Sequence, residues 1–263
     1  MSNDPSSSAG DNVRQDVFTD FSPEIKLRTK KMMMWLIIFS IVMLFAGITS
    51  ALIVLYGKLY WVHVTPPSAL WVSIAFIILS SITAIMALRF TKAGEMRRAA
   101  WMMVATFVLG LGFTVSQIQG WNALSDKGMG RRVFTTADGQ QYSRWNPLRE
   151  LNGEYGVDYT IERNGVTLEK KGDDYFMPGD YSKPLTADVE KNFNASGALI
   201  AVLVYVHIFH LALGLIYLLV NTFRIHRGVI NRDNWVSLYT GGMYWHFMGI
   251  LWVYLFFFLF FIY

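Results

Sequence analysis

Few residues in this chain could do chemistry away from water, and the histidines are foremost among them. There are five: His63, His207, His210, His226 and His246. His207 and His210 stand at i and i+3, so they share one helix face. His207, His210 and His246 all fall inside strongly apolar runs, where a polar side chain is costly and often functional. Two chemistries fit this pattern. His210 and His246 suit ligation of a haem or a metal between two helices. Alternatively, imidazoles inside a bundle hydrogen-bond across helices and lock their packing. Much else is excluded by residue type. The chain has no cysteine, hence no disulfide, thiolate zinc site, iron–sulfur cluster or cysteine nucleophile. It has no phosphate-cradling glycine loop, no HExxH and no GxSxG with partners.

The elements that must position these histidines follow from hydropathy. Of 263 residues, 53% are hydrophobic and only 16% charged, against ~25% charged in an ordinary soluble domain. A bilayer-spanning helix needs ~20 mostly apolar residues. Five stretches qualify: Met32–Tyr56, Ala69–Leu88, Ala99–Trp121, Gly197–Asn221 and Tyr239–Tyr263. None has an Asp, Glu, Lys or Arg in its interior. The expected fold is therefore an all-α integral membrane protein, a bundle of five transmembrane helices. Gly110 and Gly112, and the run Ala46, Gly47, Ser50, Ala51, are candidates for close helix approach, and Gln117 and Gln119 for bonds between helices. In the aromatic C-terminal run, Trp and Tyr mark the membrane interfaces and Phe packs against lipid or neighbouring helices.

Residues 1–31 open on a Ser/Asp/Asn/Gly-rich stretch that reads as a disordered cytoplasmic segment, followed by helices over 32–121 and 194–263. The first apolar run is too long and too far from the start for a cleaved signal, so it reads as a retained anchor. Arg14, Lys26, Arg28, Lys30 and Lys31 precede the first run. Arg89, Lys92, Arg97 and Arg98 follow the second, and Arg224, Arg227 and Arg232 follow the fourth. Gly57–Ser68, on the opposite side, carries only Lys58. The positive-inside rule then places the N-terminus in the cytoplasm and the C-terminus outside, in a bacterial inner membrane in the periplasm. The net charge of +4 reflects these loops and not nucleic-acid binding. Residues 122–193 form a polar external insert. Its signals Ala137-Asp138-Gly139-Gln140 and Asn164-Gly165 predict two β-hairpins in a small β-containing cap.

The last two runs carry a recognisable pair of motifs. His207-Ile-Phe-His210-Leu-Ala-Leu-Gly214 resembles the H-x-x-H-x-x-x-G signature of subunit III of haem–copper cytochrome c oxidases. Tyr244-Trp245-His246-Phe247 followed by Trp252 is similar to that family's Y-W-H-F-x-x-x-x-W close. Pro66-Pro67, Ser80-Ser81 and Gly94-Glu95 fit the same order. The resemblance covers 31–121 and 194–263. Full-length members have seven helices; the first helix here corresponds to the family's third. The carboxylate that the family places after a serine in that helix is Ile41 here, after Ser40, and its acids around Y-W-H-F fall at Tyr239 and Gly249.

The resemblance implies an accessory subunit that binds no haem, no copper and no other metal. Such a subunit packs against catalytic subunits I and II, which hold the haem and copper, keeps phospholipid in a cleft and supports proton uptake during aerobic respiration. The complex itself moves electrons from cytochrome c to oxygen. The missing acids favour a structural or lipid-organising role over a proton relay. His207, His210, Gly214, Tyr244, Trp245, His246, Phe247 and Trp252 would then make helix, subunit or lipid contacts. The insert would dock a c-type cytochrome or a quinol-oxidising complex. The competing expectation is a membrane haem-b electron carrier with intramembrane histidine ligands.

Overall fold

A computed structural model describes residues 23–56, 60–126, 131–135, 141–145 and 153–262. Five helices are long and apolar enough to cross a membrane: α1 (Pro23–Tyr56), α2 (Ser68–Ala93), α3 (Met96–Asp126), α4 (Thr186–His226) and α5 (Val236–Phe257). Residues Phe258–Ile262 continue α5 as a π-helical turn. Between these lie strands β1 (Trp61–Val64), β2 (Arg131–Thr135), β3 (Gln141–Trp145), β4 (Tyr159–Arg163), β5 (Val166–Thr167), β6 (Glu169–Lys171) and β7 (Asp174–Phe176).

The helices outrun the apolar stretches that announce them. Helix α1 begins at Pro23, so residues 23–31, expected to be disordered, are helical; residues 1–22 lie outside the described residues. Helix α4 begins at Thr186, inside the expected insert, because hydropathy reads the length of a span and not of a helix. Helices α2 and α3 are joined by Gly94 and Glu95 alone. Gly94 takes φ 84°, and the Glu95 N–H reaches back to the Phe90 carbonyl at 2.9 Å, a glycine-dependent helix stop. The two helices run side by side as the most extensively packed pair. Helix α5 lies innermost: it packs against α1, α2 and α4, and half of its span is buried against about a third or less of the others. Helix α1 contacts only α4 and α5 to any extent. Its Trp35, Leu36, Phe39 and Met43 point outward.

The strand-containing region is not built from the insert alone. β1, from the short α1–α2 connection, pairs antiparallel with β4 of the insert, Trp61 opposite Glu162 and Val64 opposite Tyr159. β4 turns at Asn164 and Gly165, both at positive φ, and pairs with β5, giving the order β1-β4-β5. That turn matches the Asn-Gly expectation. β2 and β3 pair with Thr135 opposite Gln141; the expected turn at 137–140 lies outside the described residues. β6 and β7 form a third hairpin. Tyr60, Tyr159, Ile161, Leu168, Tyr175, Leu185 and Val189 make a second core, separate from that of the bundle. The start of α4 closes it: the Leu185 N–H donates to the Tyr175 carbonyl at 2.8 Å, and Thr186 Oγ1 donates to Asp174 at 2.7 Å.

Candidate functional site

The two sequence motifs meet. On α4, His207, His210 and Gly214 fall on one face; on α5, Tyr244, Trp245 and Trp252 do. Gly214 is where the helices touch. A methyl group there would stand 3.1 Å from the Tyr244 ring and 3.3 Å from the Trp245 indole. Tyr244 Oη donates to the His210 carbonyl at 2.8 Å. From α3, Gly110 admits the far edge of the same indole, which lies 3.0 Å from where a Cβ would be. The sequence had marked Gly110 for close approach, and the glycine serves it. Gly112 likewise faces Phe76 of α2. The run Ala46, Gly47, Ser50, Ala51 does not. These residues are exposed, and nothing stands within 4 Å of a Cβ at Gly47, because α1 turns Phe45, Thr49 and Leu52 inward instead.

Two tryptophans carry the polar contacts. Trp245 Nε1 donates to Ser80 Oγ of α2 at 2.9 Å, and that hydroxyl donates to the Thr106 carbonyl of α3 at 3.1 Å. Two turns along, Trp252 Nε1 reaches Ser73 Oγ at 3.2 Å, which also receives Gln117 Nε2 of α3 at 2.8 Å and passes its own proton to the Leu70 carbonyl. Each serine thus ties α5, α2 and α3 together. Gln117 bridges helices as its position suggested, whereas Gln119 is exposed. Ser73 went unmarked in the sequence. Its signal is a hydroxyl seven residues before Ser80, two turns along the same face of an apolar helix.

His207 and His210 do not make the bonds between helices that their spacing suggested. His207 is 2% exposed, and neither ring nitrogen has a hydrogen-bond partner. Its ring lies against Trp252, centroids 5.3 Å apart, and edge-on to Phe45 of α1. His210 uses Nδ1 within its own helix, 2.7 Å from the Val206 carbonyl. The bonds between helices that the imidazoles were expected to make are therefore made by Tyr244, Trp245 and Trp252. The cause is direction: the α4 face carrying His207 meets the rings of Phe45 and Trp252. His246 and Phe247 are half-buried, Phe247 against the bundle core. Ile41, at the position where the family resemblance expects an acid, is buried one turn from Phe45. Among the described residues, no three His, Cys, Asp or Glu side chains are grouped so as to hold a metal ion.

Outside the bundle, His63 of β1 meets Glu162 of β4 at 3.1 Å, a half-exposed pair across the two strands. Tyr159 and Tyr175 share a hydrogen bond of 3.0 Å at the centre of the second core. Burial pushes the Tyr175 and Tyr155 phenols above their ordinary range, and for Tyr175 the bond to Tyr159 adds to the shift. No family model matches the chain, and no curated protein does either.

Proposed function

We propose that the chain is an accessory, non-redox subunit of the subunit III kind in a proton-pumping cytochrome c oxidase. The observation that supports this reading best is the meeting of its two motif segments. The H-x-x-H-x-x-x-G residues and the Y-W-H-F…W residues, more than thirty positions apart, pack on each other through Gly214, Tyr244 and Trp245. A motif pair that makes one contact has a physical reason to occur together. The interior of that contact is apolar or hydroxyl-bonded around its imidazoles and carries no carboxylate, lysine or arginine, which suits a packing role.

In this reading the outward apolar faces, broadest on α1, meet lipid and catalytic subunits I and II, which carry the haem and copper. Phospholipid lies in the clefts between helices. The chain sits in a bacterial inner membrane with its N-terminus in the cytoplasm and its C-terminus in the periplasm, as the Lys/Arg of the loops argue. The strand-containing region then faces the periplasm and docks a c-type cytochrome or a quinol-oxidising complex.

The test is purification in gentle detergent through a C-terminal tag, followed by mass spectrometry of the co-purifying chains and a visible spectrum. The expected result is recovery with a large haem- and copper-containing subunit, and no haem on this chain once it is stripped free. A lone chain carrying its own reduced-haem band, lost on His210→Ala, overturns the proposal in favour of a haem-b carrier. Repeating the recovery without the β2–β3 hairpin tests docking through the insert; unchanged donor recovery removes that hairpin from the interface.

A further inference from the structure

The second polar cluster of the bundle lies between α4 and α5, nearer the loop that joins them. Ser237 Oγ donates to Asn221 Oδ1 at 2.9 Å. Ser237 in turn receives Arg224 Nη1 at 3.1 Å, and the Tyr217 hydroxyl stands 3.1 Å from Ser237 Oγ and 3.4 Å from Thr240 Oγ1. Asn221 is 1% exposed, and its other amide end, Nδ2, has no hydrogen-bond partner. That end lies 3.0 Å from where a Cβ on Gly241 would be. Beside it is a cavity of about 10 Å³, walled by Ala84 of α2, Met103 of α3, Leu218 and Asn221 of α4, and the paired glycines Gly241 and Gly242 of α5.

We infer that this cavity is a binding site for a single water molecule held by the Asn221 side-chain amide. Size and chemistry agree on the ligand. A cavity holds one water from roughly 10–15 Å³ upward. Asn221, whose Nδ2 is without a partner, lines this cavity; an N–H donor there repels a cation, and apolar walls disfavour any ion, so a neutral acceptor of water size remains. The orientation of the amide follows from Ser237, whose hydroxyl accepts from Arg224 Nη1 and donates to Oδ1, which leaves Nδ2 as the free end. Gly241 is what leaves room for the amide end and for the Tyr217 ring. A methyl at Gly241 would collide with the Tyr217 ring. Because the walls come from four helices, the water sits where the α2–α3 pair meets α4 and α5. Among the described residues, His207 and Trp121 Nε1 are the other buried side-chain groups without partners, but Asn221 is the one that lines a described cavity.

The inference is independent of the oxidase reading and is tested on the full chain alone. In detergent micelles, with 15N labelling, the Asn221 side-chain amide protons are expected to show a cross-peak to water that is absent from Ala84→Val, the variant that fills the cavity. If the water is bound, filling the cavity strands the amide, and the unfolding midpoint of Ala84→Val falls by a few degrees. If the cavity is dry, the added methyls improve packing and the midpoint rises. A raised midpoint, or an Asn221 amide with no water cross-peak in the unsubstituted chain, overturns the inference.

Discussion

The molecule has two cores that are held by opposite means. In the bundle, the deciding contacts are small residues and single hydrogen bonds: Gly110 and Gly214 against Trp245, Ser80 and Ser73 against two indoles. Around them the surface is apolar and open. In the strand-containing region, a tyrosine-rich core is flanked by exposed strands, β5 and the charged β6. The difference is the one expected if the bundle lies in lipid, as proposed, and the strand-containing region in water. Where lipid surrounds a helix, burying a leucine gains little, so close approach and polar contacts select the partner. Where water surrounds a sheet, removing apolar area is itself the driving force, and phenols supply area together with a polar end that must be bonded.

Breaking the bundle at its centre gives the largest expected effect. Trp245→Ala removes a fully buried indole that fills the space beside Gly110 and Gly214, and a loss of about 3–5 kcal/mol is expected from core precedents. Reversible unfolding in mixed micelles measures it. Protection of the β4 amides from hydrogen exchange is expected to survive, because Tyr159 and Ile161 belong to the other core; joint collapse of both would show that the two cores are one unit.

Ser73→Ala comes next. It leaves both the Trp252 and the Gln117 donors without an acceptor, for a cost of about 1–3 kcal/mol. Ser73→Thr, which keeps the hydroxyl, should recover part of that loss in the same assay.

The phenols make the strand-containing region sensitive to alkali. Folded Tyr155 and Tyr175 hold their protons above the ordinary value of 10.0, while the unfolded chain releases them there. Their contribution is complete below pH 10 and is lost as pH rises beyond it. Circular dichroism of the tyrosine band should therefore show this region loosening above pH 10 before the helices melt. Tyr155→Phe should flatten the slope; an unchanged alkaline transition would detach it from that phenol.

The smallest effect separates the two kinds of buried polar group. His207 bonds to nothing, so His207→Leu should be neutral or stabilising by up to about 1 kcal/mol. A loss as large as that of Ser73→Ala would mean that the ring contacts with Trp252 and Phe45 outweigh two stranded nitrogens.

Much of this was legible in the sequence, and the rest was hidden for definable reasons. Five uncharged apolar runs announce five helices, and Asn164-Gly165 announces its hairpin, because each is a local property. The motif pair points to its own contact. Pairing of β1 with β4 was not legible, since four residues in a short connection give no sign of a partner some hundred positions away. Nor was the inward face of α1 legible: small residues at 46–51 suggested an interface, yet Phe45, Thr49 and Leu52 form it. Composition lists which residues permit close approach, whereas the neighbouring helix decides which face is used.

The β1–β4 pairing also bears on how the molecule is made. Its two strands flank α2 and α3 in the chain, so the sheet is a clasp across the open end of that helical hairpin. For a chain inserted as proposed, the clasp can fasten only after both helices have crossed and the insert has been carried through. Until then β4 has only the two residues of β5 beside it in the sheet. Once fastened, neither α2 nor α3 can withdraw or invert without tearing the sheet. Correct topology is thereby recorded in a structure outside the membrane, where a misinserted hairpin would leave β1 on the wrong side, unpaired and exposed to quality control.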